Sequence, residues 1–147
     1  MDRSVVLVTG ASHGIGQATA MLLASHGYQV FGTARKPAGE GPAGVQMLPL
    51  DVTSEESARS CVAAVQQQAV DVLVNNAGFG LIGAAEEVSI AEAQALFDTN
   101  LFGAARAANA VLPGMRQRRN GLIINVGSLA PALPVPSMDT CPAPRQR

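Results

Sequence analysis

The residues that invite chemistry begin with a glycine-rich run. Thr9-Gly10-Ala11-Ser12-His13-Gly14-Ile15-Gly16 follows the apolar stretch Val5 to Val8 and opens a segment with helical spacing. Glycines there permit a tight turn and let backbone N–H groups approach a pyrophosphate. A helix N-terminus behind them adds its positive dipole end. In a strand–turn–helix setting such a run reads as an anion cradle rather than a bare turn. Further along stand Asp51-Val52, Asn75-Asn76-Ala77-Gly78, Asn100 within Asp98-Thr99-Asn100-Leu101-Phe102-Gly103, and Ser128 at the end of Asn125-Val126-Gly127-Ser128.

Alternating elements must position these groups. Val5 to Val8 is continuously apolar, as a strand buried on both faces requires. Ile15 to Ser25 has helical spacing, with Ile15, Ala18, Leu22 and Leu23 near one face, and Gly27 stands where a left-handed cap is wanted. Gln29 to Thr33 predicts a second strand, and Arg35-Lys36-Pro37 with the following glycines a loop. Val45 to Leu50 predicts a third strand ending at Asp51. Thr53 or Ser54 caps a helix whose first turn carries Glu55 and Glu56, where negative charge suits the dipole. His26 suits the end of the first helix for the converse reason. Val70 to Val74 predicts a fourth strand. Ser89 caps a long helix reaching about Arg116, which Pro113 should end or kink. After the turn Asn120-Gly121, Leu122 to Val126 predicts a fifth strand. The pattern is that of an α/β doubly wound fold with a parallel sheet.

Composition narrows the function classes. Of 147 residues, 48% are apolar and 14% charged, enough for one domain with a real core. A formal net charge of −1 and 3% aromatic residues argue against nucleic acid and against an anionic membrane as partner. No apolar run approaches the length of a transmembrane helix, and the N-terminus has no secretory signal, so a soluble, cytoplasmic or otherwise intracellular protein is expected. Cys61 and Cys141 have no metal-ligand spacing around them, so no metal is expected. Met47 and Met115 read as gap-fillers in packing; Met138 carries no cofactor pattern. From Pro131 the prolines crowd together at Pro134, Pro136, Pro142 and Pro144. Residues 1–130 are therefore expected to form the folded domain and 131–147 a proline-rich, disordered tail.

The five motifs together resemble the short-chain dehydrogenase/reductase family. Thr9 to Gly16 resembles its cofactor signature, spaced G-x-x-x-G-x-G. Asp51-Val52 resembles its adenine-contacting pair, and Asn75 to Gly78 its sheet-stabilising motif beside the cofactor. Asn100 matches the active-site asparagine and Ser128 the catalytic serine. The resemblance implies a Rossmann-like sheet, here incomplete at about five strands. It implies NAD(P) binding by Gly10, Ser12, His13, Gly14, Ile15, Gly16, Arg35, Asp51, Val52, Asn76, Ala77 and Gly78, and hydride transfer between a carbonyl and an alcohol. The run from Val30 to Arg35 and Val126-Gly127-Ser128 are similar to those of steroid- or retinoid-type members.

The cofactor expected is NADP(H) rather than NAD(H). An NAD site places a carboxylate after the second strand to bind the ribose 2′-OH. Here Ala34 takes that place, followed by Arg35 and Lys36. A guanidinium pairs with a 2′-phosphate through two parallel bonds, and His13 offers a further donor.

In the family a Tyr-x-x-x-Lys pair follows the serine, the tyrosine acting as general acid/base and the lysine lowering its pKa. This chain has one tyrosine, Tyr28, and one lysine, Lys36, both far from that place. Cys141 and Arg145 stand where the pair should fall, and Pro142 and Pro144 deny them the helix that would bring them together. The catalytic set is thus reduced to Asn100 and Ser128, and the chain alone is expected to be inactive. The change of character after Leu133 resembles an altered reading frame or alternative exon. The family also continues further, so the fifth strand is expected to be an apolar edge and the helix over 90–116 an apolar stripe open to a homo- or hetero-oligomeric partner.

Overall fold

A computed structural model describes residues 3–37, 41–65, 69–81 and 85–128. The strands are β1 (Val5–Val8), β2 (Gln29–Ala34), β3 (Val45–Pro49), β4 (Val72–Asn75) and β5 (Leu122–Asn125). The helices are α1 (Gly14–Ser25), α2 (Glu55–Val65), α3 (Ile90–Phe97) and α4 (Gly103–Arg118), with a π-helical turn over Asp98–Phe102 joining the last two. All strands pair in parallel in the order β3-β2-β1-β4-β5. The chain builds outward from β1 in one direction, then returns to start again at β4 on its other side. The strand order reverses between β1 and β4, and there an open α/β sheet forms its ligand crevice. The expected tail, with Cys141, Arg145 and Met138, lies outside the described residues.

Both faces of the sheet are covered, which is why its central strands are apolar without alternation. Val5 and Leu7 pack with Leu73 under α2 and α4, against Ala58, Cys61, Val65, Ala107, Val111 and Met115. Val6 and Val8 face the other way, with Val30, Val45, Val74 and Ala20 of α1. β5 is the outer strand of the described sheet, and Leu122 and Ile124 are exposed there.

α1 departs from the expected face. Gly16 and Ala20 are its buried residues, with Leu23 and Ala24 packed beside them, while Ile15 and Leu22 are exposed. Small residues win because the start of this helix must lie close against the glycine-rich turn. Its end matches expectation. Gly27, at φ 87°, donates to the Ala24 carbonyl, and Tyr28 donates to that of Leu23. That pair of bonds is the Schellman closure. His26 Nδ1 lies 2.9 Å from the Leu22 carbonyl.

The long helix differs more. Ser89 forms a reciprocal cap with Glu92, as its position predicts. Pro113, however, does not end α4, which runs on to Arg118 and closes at Arg119 in the left-handed region, φ 54°. An interior proline costs about 3 kcal/mol. Tertiary contacts offset it here: Met115 is buried, and Arg118 Nη2 donates to the Val70 carbonyl at 2.7 Å. The same guanidinium lies 3.9 Å from Asp71, whose other oxygen accepts the Val5 N–H at 2.9 Å. These contacts fasten α4 to the N-terminal edge of the sheet.

Cys61 is 3% exposed, and burial pushes its thiol up to about 11. In a Cys141→Ser protein at about pH 8, iodoacetamide should leave Cys61 intact until the fold is opened with denaturant. Stoichiometric labelling of the native protein would contradict this packing.

Candidate functional site

The site is built where the C-terminal ends of β1 and β4 meet. Thr9, which follows β1, is 1% exposed, and its hydroxyl oxygen accepts the backbone N–H groups of Asn76 at 3.0 Å and Ala77 at 2.9 Å. Asn76 answers with its own side chain, donating through Nδ2 to the carbonyls of Thr9 and Gly10, each at 3.1 Å. Asn75 ties the same loop outward, donating to Asn125 Oδ1 at 2.9 Å and to the Ala104 carbonyl at 3.3 Å. The Thr9 and Asn76 groups satisfy one another, while Asn75 Oδ1 is buried with no hydrogen-bond partner among the described residues.

This clasp fixes the glycine-rich turn. Gly10 lies at φ 67°, and a Cβ there would stand 2.8 Å from Ala77 Cα. A Cβ on Gly16 would collide with Asn76 Nδ2 and the Gly10 carbonyl. Gly14 faces open space, and no side chain caps the first turn of α1 at His13. Ser12 Oγ and His13 Nδ1 lie 2.9 Å apart, and both residues are exposed beside that turn with Ile15. Bare amides, a positive helix end and free volume are the conditions for holding an anion.

The rim follows from the neighbouring strands. Arg35 and Lys36 emerge exposed where β2 ends, with no carboxylate between Ala34 and Pro37. Asp51 follows β3, and its Oδ1 accepts the Thr53 hydroxyl at 2.7 Å and the Thr53 N–H at 2.9 Å. Those two bonds hold its carboxyl below the ordinary aspartate range, helped by the positive charges of Arg35 and Arg106. Val52 is buried beside it. Arg106 was not legible as part of the site in the sequence. It donates to the carbonyls of Val52 at 3.4 Å and Asp98 at 3.2 Å, and pairs with Asp98 Oδ1 at 2.7 Å.

Asn100 sits in the π-helical turn, a local widening that often marks functional sites. Its Oδ1 accepts the Phe79 N–H at 3.1 Å, and its Nδ2 donates to the Phe79 carbonyl at 2.8 Å. A Cβ on Gly78 would stand 2.9 Å from that Oδ1. The Asn100 side chain thus shapes the loop after β4. Ser128 lies exposed past β5, at the same edge of the sheet. The structure brings Gly10, Gly16, Asn76 and Ala77 into one cluster, and Gly78 with Asn100 into another. Arg35 and Asp51 lie on the rim beside them.

The family model for short chain dehydrogenases matches residues 4–141. The chain belongs to that family. The match runs past Leu133, where the proline-rich character begins. Retinol dehydrogenase 8 of Homo sapiens is 45% identical over 137 residues, covering 84% of this chain and 44% of that protein. The 3-ketodihydrosphingosine reductase of Bacteroides thetaiotaomicron is 42% identical over 138 residues, covering 92% and 51%. A solved actinorhodin polyketide ketoreductase variant with NADPH superposes with a TM-score of 0.86 at 34% identity, covering 95% of this chain and 58% of that one. The chain spans about half the length of the curated relatives it matches.

A nicotinamide dinucleotide, which this family binds, fits the residues present. The glycine cradle and uncapped helix start suit the pyrophosphate, and the β2 and β3 rims lie together on one side of it. Among the described residues there is no group of side chains arranged for a metal, and no helix is long and apolar enough to cross a membrane.

Gly16→Ala should displace Asn76 from its two carbonyl acceptors and cost about 1–3 kcal/mol. Chemical denaturation of the variant beside the parent measures this. Equal midpoints would show that the turn and the β4 loop are not pressed together there.

Proposed function

We propose that this chain is the cofactor-holding half of an NADP(H)-dependent oxidoreductase acting on carbonyl and alcohol groups. The observation that carries the reading is the end of β2. Where an NAD site needs a carboxylate, Ala34 is followed by Arg35 and Lys36, exposed on the rim beside Asp51. A guanidinium there meets a 2′-phosphate with two charge-assisted bonds, and His13, within the glycine turn, offers a further donor. Gly10, Ser12, Gly14, Ile15 and Gly16 hold the pyrophosphate against the start of α1. Asp51 and Val52 bound the adenine, and Asn76, Ala77 and Gly78 support the far end of the dinucleotide.

When bound, the nicotinamide supplies or accepts a hydride. Ser128 is assigned to steady the substrate carbonyl, and Asn100 to order the loop and its proton-relay water. The 147 residues contain no Tyr-x-x-x-Lys, so we assign this chain cofactor binding without turnover. A steroid- or retinoid-like substrate class is supported by the similarity to retinol dehydrogenase 8. A cytoplasmic or other intracellular location accords with the cofactor.

A second reading is favoured by the apolar residues along α3 and the π-helical turn. Ile90, Phe97, Leu101 and Phe102 are all exposed, between 41% and 75%. That stripe suits a non-catalytic module that pairs with a second copy or a longer relative.

NADPH fluorescence titration tests the cofactor assignment. The parent should bind NADPH in preference to NADH, and Arg35→Ala should weaken NADPH by about 10- to 100-fold while changing NADH by less than about 2-fold. Equal affinity for the two cofactors in the parent would overturn it.

A further inference from the structure

Arg106 reaches acceptors that belong to separate parts of the site. Its Nη1 donates to the Val52 carbonyl, 54 residues away in sequence, and to the Asp98 carbonyl. Its Nη2 donates to Asp98 Oδ1 at 2.7 Å. Arg106 and Asp98 are eight residues apart, beyond ordinary helical pairing at three or four. The π-helical turn between them, closed by Gly103 N–H to the Asp98 carbonyl, makes the contact. Arg106 is 23% exposed on its side chain, so the pair is partly withdrawn from water, where charge-assisted bonds gain strength.

Packing reinforces the bond. Gly103, one turn before Arg106, carries the backbone of α4 against Val52, where a Cβ would stand 2.8 Å from Val52 Cγ2 and 3.3 Å from its carbonyl oxygen. Val52 adjoins Asp51 on one side of the site. Asp98 opens the turn that carries Asn100, and Asn100 in turn holds both polar groups of Phe79.

We propose that Arg106 is a positioning residue, joining Val52 to Asp98 so that the Asp51–Val52 rim and the Asn100 turn keep one fixed relation. A planar guanidinium can serve a carbonyl and a carboxylate at once, which a lysine ammonium on a flexible stem cannot do in the same geometry. The consequence for cofactor binding rests on the dinucleotide reading above; the mechanical coupling does not.

Amide hydrogen exchange on the free chain separates the two. In Arg106→Lys, the amides of Thr53, bonded to Asp51 Oδ1, and of Phe79, bonded to Asn100 Oδ1, should both exchange about 10-fold faster. Those of Leu7 and Leu73 in the central strands should keep the parent rate. An unchanged Thr53 or Phe79 overturns the proposal. A uniform rise that includes Leu7 and Leu73 also overturns it, since that reports a residue serving only global stability. Asp98→Ala, which removes the carboxylate from the same bridge, should reproduce the paired change, and failure to do so counts against the bridge. Titration with NADPH then adds a second arm, in which Arg106→Lys weakens binding about 5- to 10-fold. If the parent binds no NADPH, the cofactor reading fails while the exchange result still decides the coupling.

Discussion

The buried hydroxyl of Thr9 holds the arrangement together. It sits where strand order reverses, and its oxygen takes two amides from the loop after β4, while Asn76 from that loop takes the carbonyls of Thr9 and Gly10. Two loops that would otherwise diverge are thereby pressed into one surface. An unpaired polar group at such depth costs about 1–3 kcal/mol, so each partner is held by the need of the other. The glycines follow from this constraint: Gly10 and Gly16 lie where the clasp leaves no room for a side chain.

The rest of the fold serves that crevice. Parallel pairing brings the C-terminal ends of all five strands to one edge, so residues far apart in sequence surround the β1–β4 opening. At the opposite edge, Arg118, Val70, Asp71 and Val5 form a separate fastening that steadies β1 and β4 from below. The Thr9 clasp and this second fastening thus sit at opposite ends of the same strands.

The sequence disclosed those elements whose physics is local or strictly periodic. Val5 to Val8 is legible as a doubly buried strand, Gly27 as a left-handed closure, and Ser89 as a cap. The failures have tertiary causes. Ile15 and Leu22 look like the inner face of α1 by hydropathy, but the turn draws Gly16 and Ala20 inward. Pro113 reads as a stop or a kink; it is not a stop, because Met115 and Arg118 are anchored strongly enough to carry α4 past it. Arg119 closes that helix without being glycine, so no composition signal marks it. Arg106 bonds mainly to backbone carbonyls, and carbonyls leave no trace in a sequence. The π-helical turn is hidden likewise, because its extra residue is absorbed by contacts with Val52 and Phe79.

Backbone amide shifts followed during titration with NADPH test the central claim directly. The amides of Gly10 to Gly16, Arg35, Asp51-Val52 and Asn76 to Gly78 should shift together and saturate, with those of α2 unmoved. Saturable shifts confined to other regions, or no shifts at all, would contradict the account.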